Sequence, residues 1–293
     1  MARRLRWARS AVAMETLRPY LAPLAPFFAL YLGAMAAECL ALALRRRASA
    51  PGYDWPEAAT NVFSWMTAVI AWIPLNLLTF AVSAWLWRFR VADLGAGVGA
   101  WVIAALAWDF SYYWQHRAEH EVRLLWAGHV THHSSEHFNF SNGFRQSWTP
   151  WTGFVFYPAW VLLGVRPELL FISGGWNLVY QFFLHTELVP KLPRWIEAWL
   201  NTPSHHRVHH AKNPQYFDRN YGGALILWDR LFGSFAPERE PPSYGIPHPV
   251  RSINPLWIQL HEYAAIARDC RRAPGWRGRL ASLVREPAQV GGR

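Results

Sequence analysis

Long apolar stretches alternate along this chain with short runs rich in arginine or histidine, and that segregation limits its fold more than any other feature. The first stretch runs from Pro19 to Leu44 and is closed by Arg45, Arg46 and Arg47. The second runs from Asn61 to Trp87, closed by Arg88 and Arg90, and the third from Leu94 to Trp114, interrupted only by Asp109. Two more, Trp148 to Val165 and Pro167 to Leu188, flank Val165-Arg166-Pro167 and read as a hairpin. A helix of about 20 apolar residues crosses a hydrocarbon core about 30 Å thick. Any one stretch suits a buried core helix equally well. Four or five in one chain predict an all-α, integral-membrane helical bundle of about four to five transmembrane or re-entrant helices.

Composition agrees. The net charge of +10 suits nucleic acid, anionic lipid or an acidic substrate. Aromatic residues make up 16% of the chain, with 19 tryptophans, and Trp and Tyr gather at bilayer interfaces. The partner expected is therefore lipid and not nucleic acid. Cys39 and Cys270 lie far apart and read as free thiols, with neither metal spacing nor a disulfide framework. The basic run Arg3, Arg4, Arg6 and Arg9 is not followed by the apolar region and cleavage site of a signal peptide. Near the other end, Pro237, Pro241, Pro242, Pro247, Pro249 and Pro255 predict a loop without regular structure. Leu256 to Arg268 has the spacing of an amphipathic helix, and Arg271, Arg272, Arg277, Arg279 and Arg285 form a basic tail suited to an anionic membrane surface or to water. These features divide the chain into residues 1–60, a basic segment and first membrane helix; 61–235, a catalytic membrane domain; and 236–293, the Pro-rich linker, amphipathic helix and tail.

The polar half carries the chemistry. His116-Arg117-Ala118-Glu119-His120 follows the third apolar stretch, so two imidazoles at i and i+4 share one helical face and can reach one metal. His129-Val130-Thr131-His132-His133 and His206-Arg207-Val208-His209-His210, the latter preceded by His205, each space three histidines i, i+3, i+4. Three histidines on one face can serve one metal or bridge two. His185 stands alone near the end of the fifth apolar stretch. A single histidine at a membrane interface is ordinarily a hydrogen-bonded structural residue, but three boxes beside apolar helix ends point to metal. The number of histidines is about twice what one tetrahedral site takes, and no cysteine is near, so two ions are expected. Imidazole suits iron, zinc, copper and nickel alike. Of these, a pair of irons facing lipid is the setting for oxygen activation.

The boxes and their surroundings resemble the fatty acid hydroxylase superfamily, also called the sterol desaturase family. The resemblance rests on Trp108-Asp109 through Glu121, on Trp126 through Glu136, on Arg145-Gln146-Ser147 and on Gln181 through Glu187. It continues in Asn201 through His210, Asn220-Tyr221 and Trp228 through Phe235, and covers roughly residues 60 to 235. It implies a membrane bundle capped by a cytosolic helical region that holds a histidine-rich di-metal site. It also implies a non-haem di-iron, O2-dependent lipid monooxygenase, in its ether-lipid branch one that cleaves alkylglycerol ethers. The ligands implied are His116, His120, His129, His132, His133, His185, His206, His209 and His210, with His205 a tenth ligand or a residue behind one. Asp109, two helical turns before His116, and Glu121, directly after His120, are the catalytic carboxylates: either could orient a ligand, Glu121 could also reach the metal itself, and the alternative for Asp109 is a plain helix-end residue. Two iron ions are the implied cofactor, with zinc able to replace them in purified protein. No nicotinamide, flavin or haem motif is present, so the reductant is external: tetrahydrobiopterin in the ether-lipid branch, a cytochrome b5- or ferredoxin-type protein in others.

Phe138, Phe140, Phe144 and Trp148 are expected to line the substrate pocket. The site should face the cytoplasm, from the inner membrane of a bacterium or the endoplasmic reticulum of a eukaryote. With Arg45 to Arg47 inside, three full crossings leave the basic N-terminus outside, so one of the first three stretches is expected to be re-entrant or interfacial. A hydroxylase or desaturase of acyl chains, sterols or lipid head groups is the alternative activity. Outside enzymes, the alternatives are a metal transporter, which would place histidines mid-helix along a path, and a non-catalytic metal-binding lipid protein.

Overall fold

The computed structural model describes residues 24–45, 52–149 and 153–287. The basic run from Arg3 to Arg9, Pro19, Arg46 and Arg47 lie outside the described residues. Among those described, the secondary structure is helical, with only two isolated β-bridges, Leu200 to Leu225 and Ala211 to Tyr244. Helix α1, Leu24–Arg45, forms one unit. Every later element belongs to a second unit.

The second unit opens with α2, Trp55–Leu86. Asp54 caps its start by accepting from the Glu57 amide at 2.9 Å, and Pro56 occupies the first turn, where no donor is needed. This helix is inside out by the standards of a water-soluble protein. It buries Ala58, Thr60, Asn61, Ser64, Ala68, Thr79 and Ser83 and exposes Phe63, Met66, Ile70, Leu77, Leu78, Phe80 and Trp85. Small and polar residues between helices with large apolar ones outside are what lipid as solvent selects. Among the described residues, two helices are long and apolar enough to cross a membrane, over Pro26–Leu44 and Trp55–Phe89. The chain is an all-α membrane protein.

Helix α3, Val98–Glu121, changes character along its length. Val98, Trp101, Val102, Ile103 and Leu106 are exposed, while Ala100, Ala104 and Ala107 pack into a core with Tyr157, Val161, Val165, Leu169 and Leu170. From Asp109 onward the buried face is polar: Asp109, Ser111, Tyr113, His116, His120. The fourth apolar stretch is not one helix. It holds α5, Gly153–Phe156, and α6, Pro158–Leu162, interrupted at Pro158, which has no amide hydrogen to continue a ladder. The fifth forms α7, Pro167–Phe182, about 24 Å long at 1.5 Å per residue and so shorter than the hydrocarbon core. Helix α7 packs on α3 closely enough that a Cβ on Gly174 would meet the Trp108 ring at 2.3 Å.

The polar half is assembled from α4, Arg123–His133; α8, Arg194–Glu197; α9, Pro203–His209; and α10, Leu227–Phe232. A single extended residue, Val122, separates α3 from α4. Helix α9 is buried along its whole length, and its carboxylate neighbour Glu197 accepts from Ser204 Oγ at 2.7 Å. The amphipathic helix appears as α11, Pro255–Arg272, followed by α12, Gly275–Val284; both pack on α4. Buried Arg123 ties α11 there, donating to Glu262 at 2.7 Å and to Asp269 at 2.6 Å. The Pro-rich segment between α10 and α11 has no helix, as its prolines predict.

Candidate metal centre

Nine histidines converge into two groups. His116 and His120 of α3, His129 and His133 of α4 and His209 of α9 form a group of five. His132, His185, His206 and His210 form a group of four. Within each, one ring nitrogen per residue lies within 4.8 Å of all the others. The i, i+4 members of each HxxHH box point together, and the remaining histidine crosses over. His129 and His133 join the five while His132 joins the four; His206 and His210 join the four while His209 joins the five. The His133 and His210 rings stack at 4.4 Å, so the groups are neighbours.

Four rings are fixed from behind by backbone carbonyls. His116 Nδ1 lies 2.8 Å from Tyr221 O, and His209 Nδ1 2.9 Å from Arg219 O. His132 Nδ1 lies 3.1 Å from Arg145 O, and His185 Nδ1 2.9 Å from Gln181 O. A carbonyl only accepts, so Nδ1 carries the proton in each ring and Nε2 offers a bare lone pair. His132 and His185 then face each other Nε2 to Nε2 at 3.2 Å, two acceptors with no proton between them. His209 Nε2, His206 Nδ1 and both nitrogens of His120 are buried without a hydrogen-bond partner among the described residues. A second proton on the rings is opposed by burial. Burial pushes His116 down to about 3 and His132 to about 4, and it holds His120, His129, His133, His185, His206, His209 and His210 well below the usual range, with neighbouring histidines adding to the effect. Converging neutral imidazoles with unprotonated nitrogens fit metal cations: one centre could be held by the five and one by the four.

His205 lies outside both groups. It is buried against Phe235, its Nε2 is 3.9 Å from Glu197, and its carbonyl accepts from Asn220 Nδ2 at 3.1 Å. Asp109 and Glu121 also point elsewhere. Asp109 accepts from Asn177 Nδ2 at 2.6 Å, the Ala224 amide at 2.7 Å, the Leu225 amide at 3.2 Å and Trp228 Nε1 at 2.8 Å. It thereby anchors the segment whose Tyr221 carbonyl holds His116. Glu121 is half-exposed and accepts from Arg117 at 2.8 Å.

The carboxylates that do approach rings are Glu119, 3.4 Å from His129 Nδ1, and Asp218, 3.4 Å from His120 Nδ1. Sequence reasoning passed over both. Glu119 sat in plain view inside the first box. Asp218 is brought in by the loop that carries Asn220-Tyr221, two residues ahead of that pair and outside the motif. Arg145, buried, donates to Thr131 O, Ser134 Oγ and Asn61 Oδ1, tying the segment behind His132 to α2. Of the four aromatic residues expected to line a pocket, Phe138 touches the histidines, with its ring 5.7 Å from His185 and 5.3 Å from His210, stacked on Tyr244. Phe140 and Phe144 pack on Phe182, and Trp148 donates to Thr67.

Residues 101–234, which include every histidine of both groups, match the fatty acid hydroxylase family model. The chain is 42% identical over 191 residues to an alkylglycerol monooxygenase of Xenopus tropicalis, covering 64% of this chain and 42% of the relative. The figures for the Homo sapiens alkylglycerol monooxygenase are 42% over 188 residues, with the same coverage. An ornithine lipid hydroxylase of Rhizobium tropici is 28% identical over 157 residues, 50% of this chain and 44% of the relative. The chain thus spans less than half the length of these curated relatives. No solved structure matches it.

Proposed function

We propose, from the premise that this chain carries a fatty acid hydroxylase domain over residues 101–234, that it is a membrane-bound, di-iron, O2-dependent lipid monooxygenase acting on alkylglycerol ethers. The observation that carries the reading is the pair of histidine groups, whose bare nitrogens face one another and call for two cations. Irons held by His116, His120, His129, His133 and His209 on one side and by His132, His185, His206 and His210 on the other would supply oxygen activation and abstraction of hydrogen from a C–H bond. The electrons come from an external donor, either tetrahydrobiopterin or a cytochrome b5- or ferredoxin-type protein.

The chain's own residues orient and shield. Carbonyls of Arg145, Gln181, Arg219 and Tyr221 keep four rings in one tautomer, so no reorganisation is needed when metal enters. Phe138 and buried Trp126 wall the histidines with apolar surface, which limits water beside them. A groove of about 330 Å³ lined by Phe110, Trp114, Val155, Phe156 and Trp160 runs along α3 within two turns before His116. It suits an alkyl chain arriving from the bilayer. Hydroxylation of the carbon next to an ether oxygen gives a hemiacetal, which falls apart to an aldehyde and an alcohol. The active site faces the cytoplasm, where reductants are found.

The test is oxygen uptake by purified protein in lipid nanodiscs with an alkylglycerol and tetrahydrobiopterin, with analysis of products. Fatty aldehyde formed in step with oxygen consumed is the expected result. The similarity to an ornithine lipid hydroxylase favours one second reading, oxygen insertion into an ordinary acyl chain or head group. A lipid gaining one oxygen without cleavage would establish that reading in place of the first. Uptake that no lipid stimulates would remove both.

A further inference from the structure

The loop from Asp218 to Tyr221 touches three of the five histidines in the larger group. Its Tyr221 carbonyl takes His116 Nδ1, its Arg219 carbonyl takes His209 Nδ1, and its Asp218 carboxylate stands 3.4 Å from His120 Nδ1. The loop is bent to do this. Asp218 and Asn220 have φ of 56° and 58°, the left-handed region that Asp and Asn tolerate better than other side chains. Surrounding bonds hold that geometry in place. Asn220 donates to the carbonyls of His205 and Ala236 and accepts from the Ala236 amide, and Asp229 accepts from the Tyr221 and Gly222 amides. A conformation of this kind persists only where its surroundings over-determine it.

His120 Nδ1 and Asp218 Oδ1 are both buried, and neither has a hydrogen-bond partner among the described residues. The two atoms face each other at 3.4 Å, a few tenths of an ångström beyond bonding distance. Glu119 Oε2 lies at the same 3.4 Å from His129 Nδ1, while its Oε1 accepts from Gln115 Nε2 at 2.9 Å. In the smaller group, by contrast, His132 and His185 are backed by neutral carbonyls. A carboxylate behind an imidazole makes a stronger, charge-assisted bond than a carbonyl and raises the basicity of the nitrogen facing the metal.

We infer that Asp218 is a positioning residue for His120 and, with Glu119 behind His129, makes the five-histidine group the tighter of two unequal metal sites. This rests on the two-metal reading given above. No covalent step is involved: the carboxylate accepts a hydrogen bond from Nδ1–H of a neutral ring, which leaves Nε2 free for the metal.

The experiment is chelator competition on the full-length chain in nanodiscs, loaded with zinc and in parallel with cobalt for its absorption spectrum. Wild type should release two zinc ions in two steps. A His185→Ala background weakens the smaller group and isolates the larger. On that background Asp218→Asn, which keeps the left-handed loop, should lower zinc affinity about tenfold or more and shift the cobalt spectrum. His248→Ala, at an exposed position outside both groups, should leave both within about twofold. Glu119→Gln should act in the same direction as Asp218→Asn and serves if that variant fails to fold. Unchanged affinity and spectrum in both carboxylate variants, with two zinc ions bound to wild type, would overturn this inference alone. Fewer than two zinc ions on folded wild type would overturn it together with the two-metal reading.

Discussion

The two histidine groups are drawn from the same two HxxHH boxes read crosswise, yet they are differently supported. The group of five takes both members of the first box and is braced by one loop, Asp218 to Tyr221, and by Glu119. The group of four takes the isolated His185 and is braced by carbonyls of the segment after α4 and of the end of α7. Helical spacing decides which pairs travel together, because i and i+4 share a face. The neighbour at i+3 is turned far enough to serve the adjacent site. A repeated motif therefore yields two groups that are not copies of each other, and what distinguishes them is Glu119, inside the first box, and the loop that follows the third.

The largest effect should come from removing a ligand. His206→Ala leaves three histidines in the smaller group and should lower lipid-dependent oxygen uptake by about a hundredfold or more, with loss of its metal. His129→Ala leaves four in the larger group and should retain more metal at equal chelator concentration. Equal metal loss in the two variants would break the comparison.

Next comes Asp109. Its carboxylate is buried under four donors, and truncation strands two backbone amides. Asp109→Ala should destabilise by about 3 kcal/mol or more, read as a lowered unfolding temperature in detergent, before any effect on metal is measured. A stable Asp109→Ala protein that fails only in metal binding would return Asp109 to the role that its spacing from His116 suggested.

Acid should act on both groups. The folded state keeps His116 neutral down to about pH 3 and His132 down to about pH 4 by burying them. An unfolded histidine takes its proton near pH 6.5, so between these values the unfolded chain binds more protons. Stability of the metal-free protein is therefore fully present above about pH 6.5 and falls as pH drops toward 4. Metal loading should weaken over the same window, as protons compete for the same nitrogens. Flat unfolding temperatures of chelator-treated protein from pH 7 to pH 5 would contradict this.

The smallest effects mark the edge of the site. Glu121→Gln loses a half-exposed ion pair with Arg117, worth at most about 1 kcal/mol and no change in metal. His248→Ala, at an exposed position, should be silent in uptake and in metal content. A His248→Ala defect as large as that of His206→Ala would mean that ligands cannot be assigned from box spacing.

Much of this was legible in the sequence because helical periodicity is local. The boxes identified the nine converging histidines, the first two apolar stretches the two helices able to cross a membrane among the described residues, and Leu256 to Arg268 the amphipathic helix. Pro158 broke the fourth stretch into short helices, an effect that hydropathy does not register. What stands behind the rings was not legible. Asp109 and Glu121 are close to the first box in sequence, but side-chain direction on α3 sends one to the Ala224 amide and the other to Arg117. Asp218, nearly a hundred residues away from His120, arrives through a strained loop. Tertiary placement of loops is set by long-range bonds such as those of Asn220 and Asp229, which leave no periodic trace.

The central claim is that the two groups are two metal sites, and metal content tests it most directly. Elemental analysis of full-length protein purified from iron-replete cells should find close to two metal ions per folded chain, iron or zinc in its place, and close to one after His206→Ala. A folded wild-type chain holding one metal ion or none would contradict it.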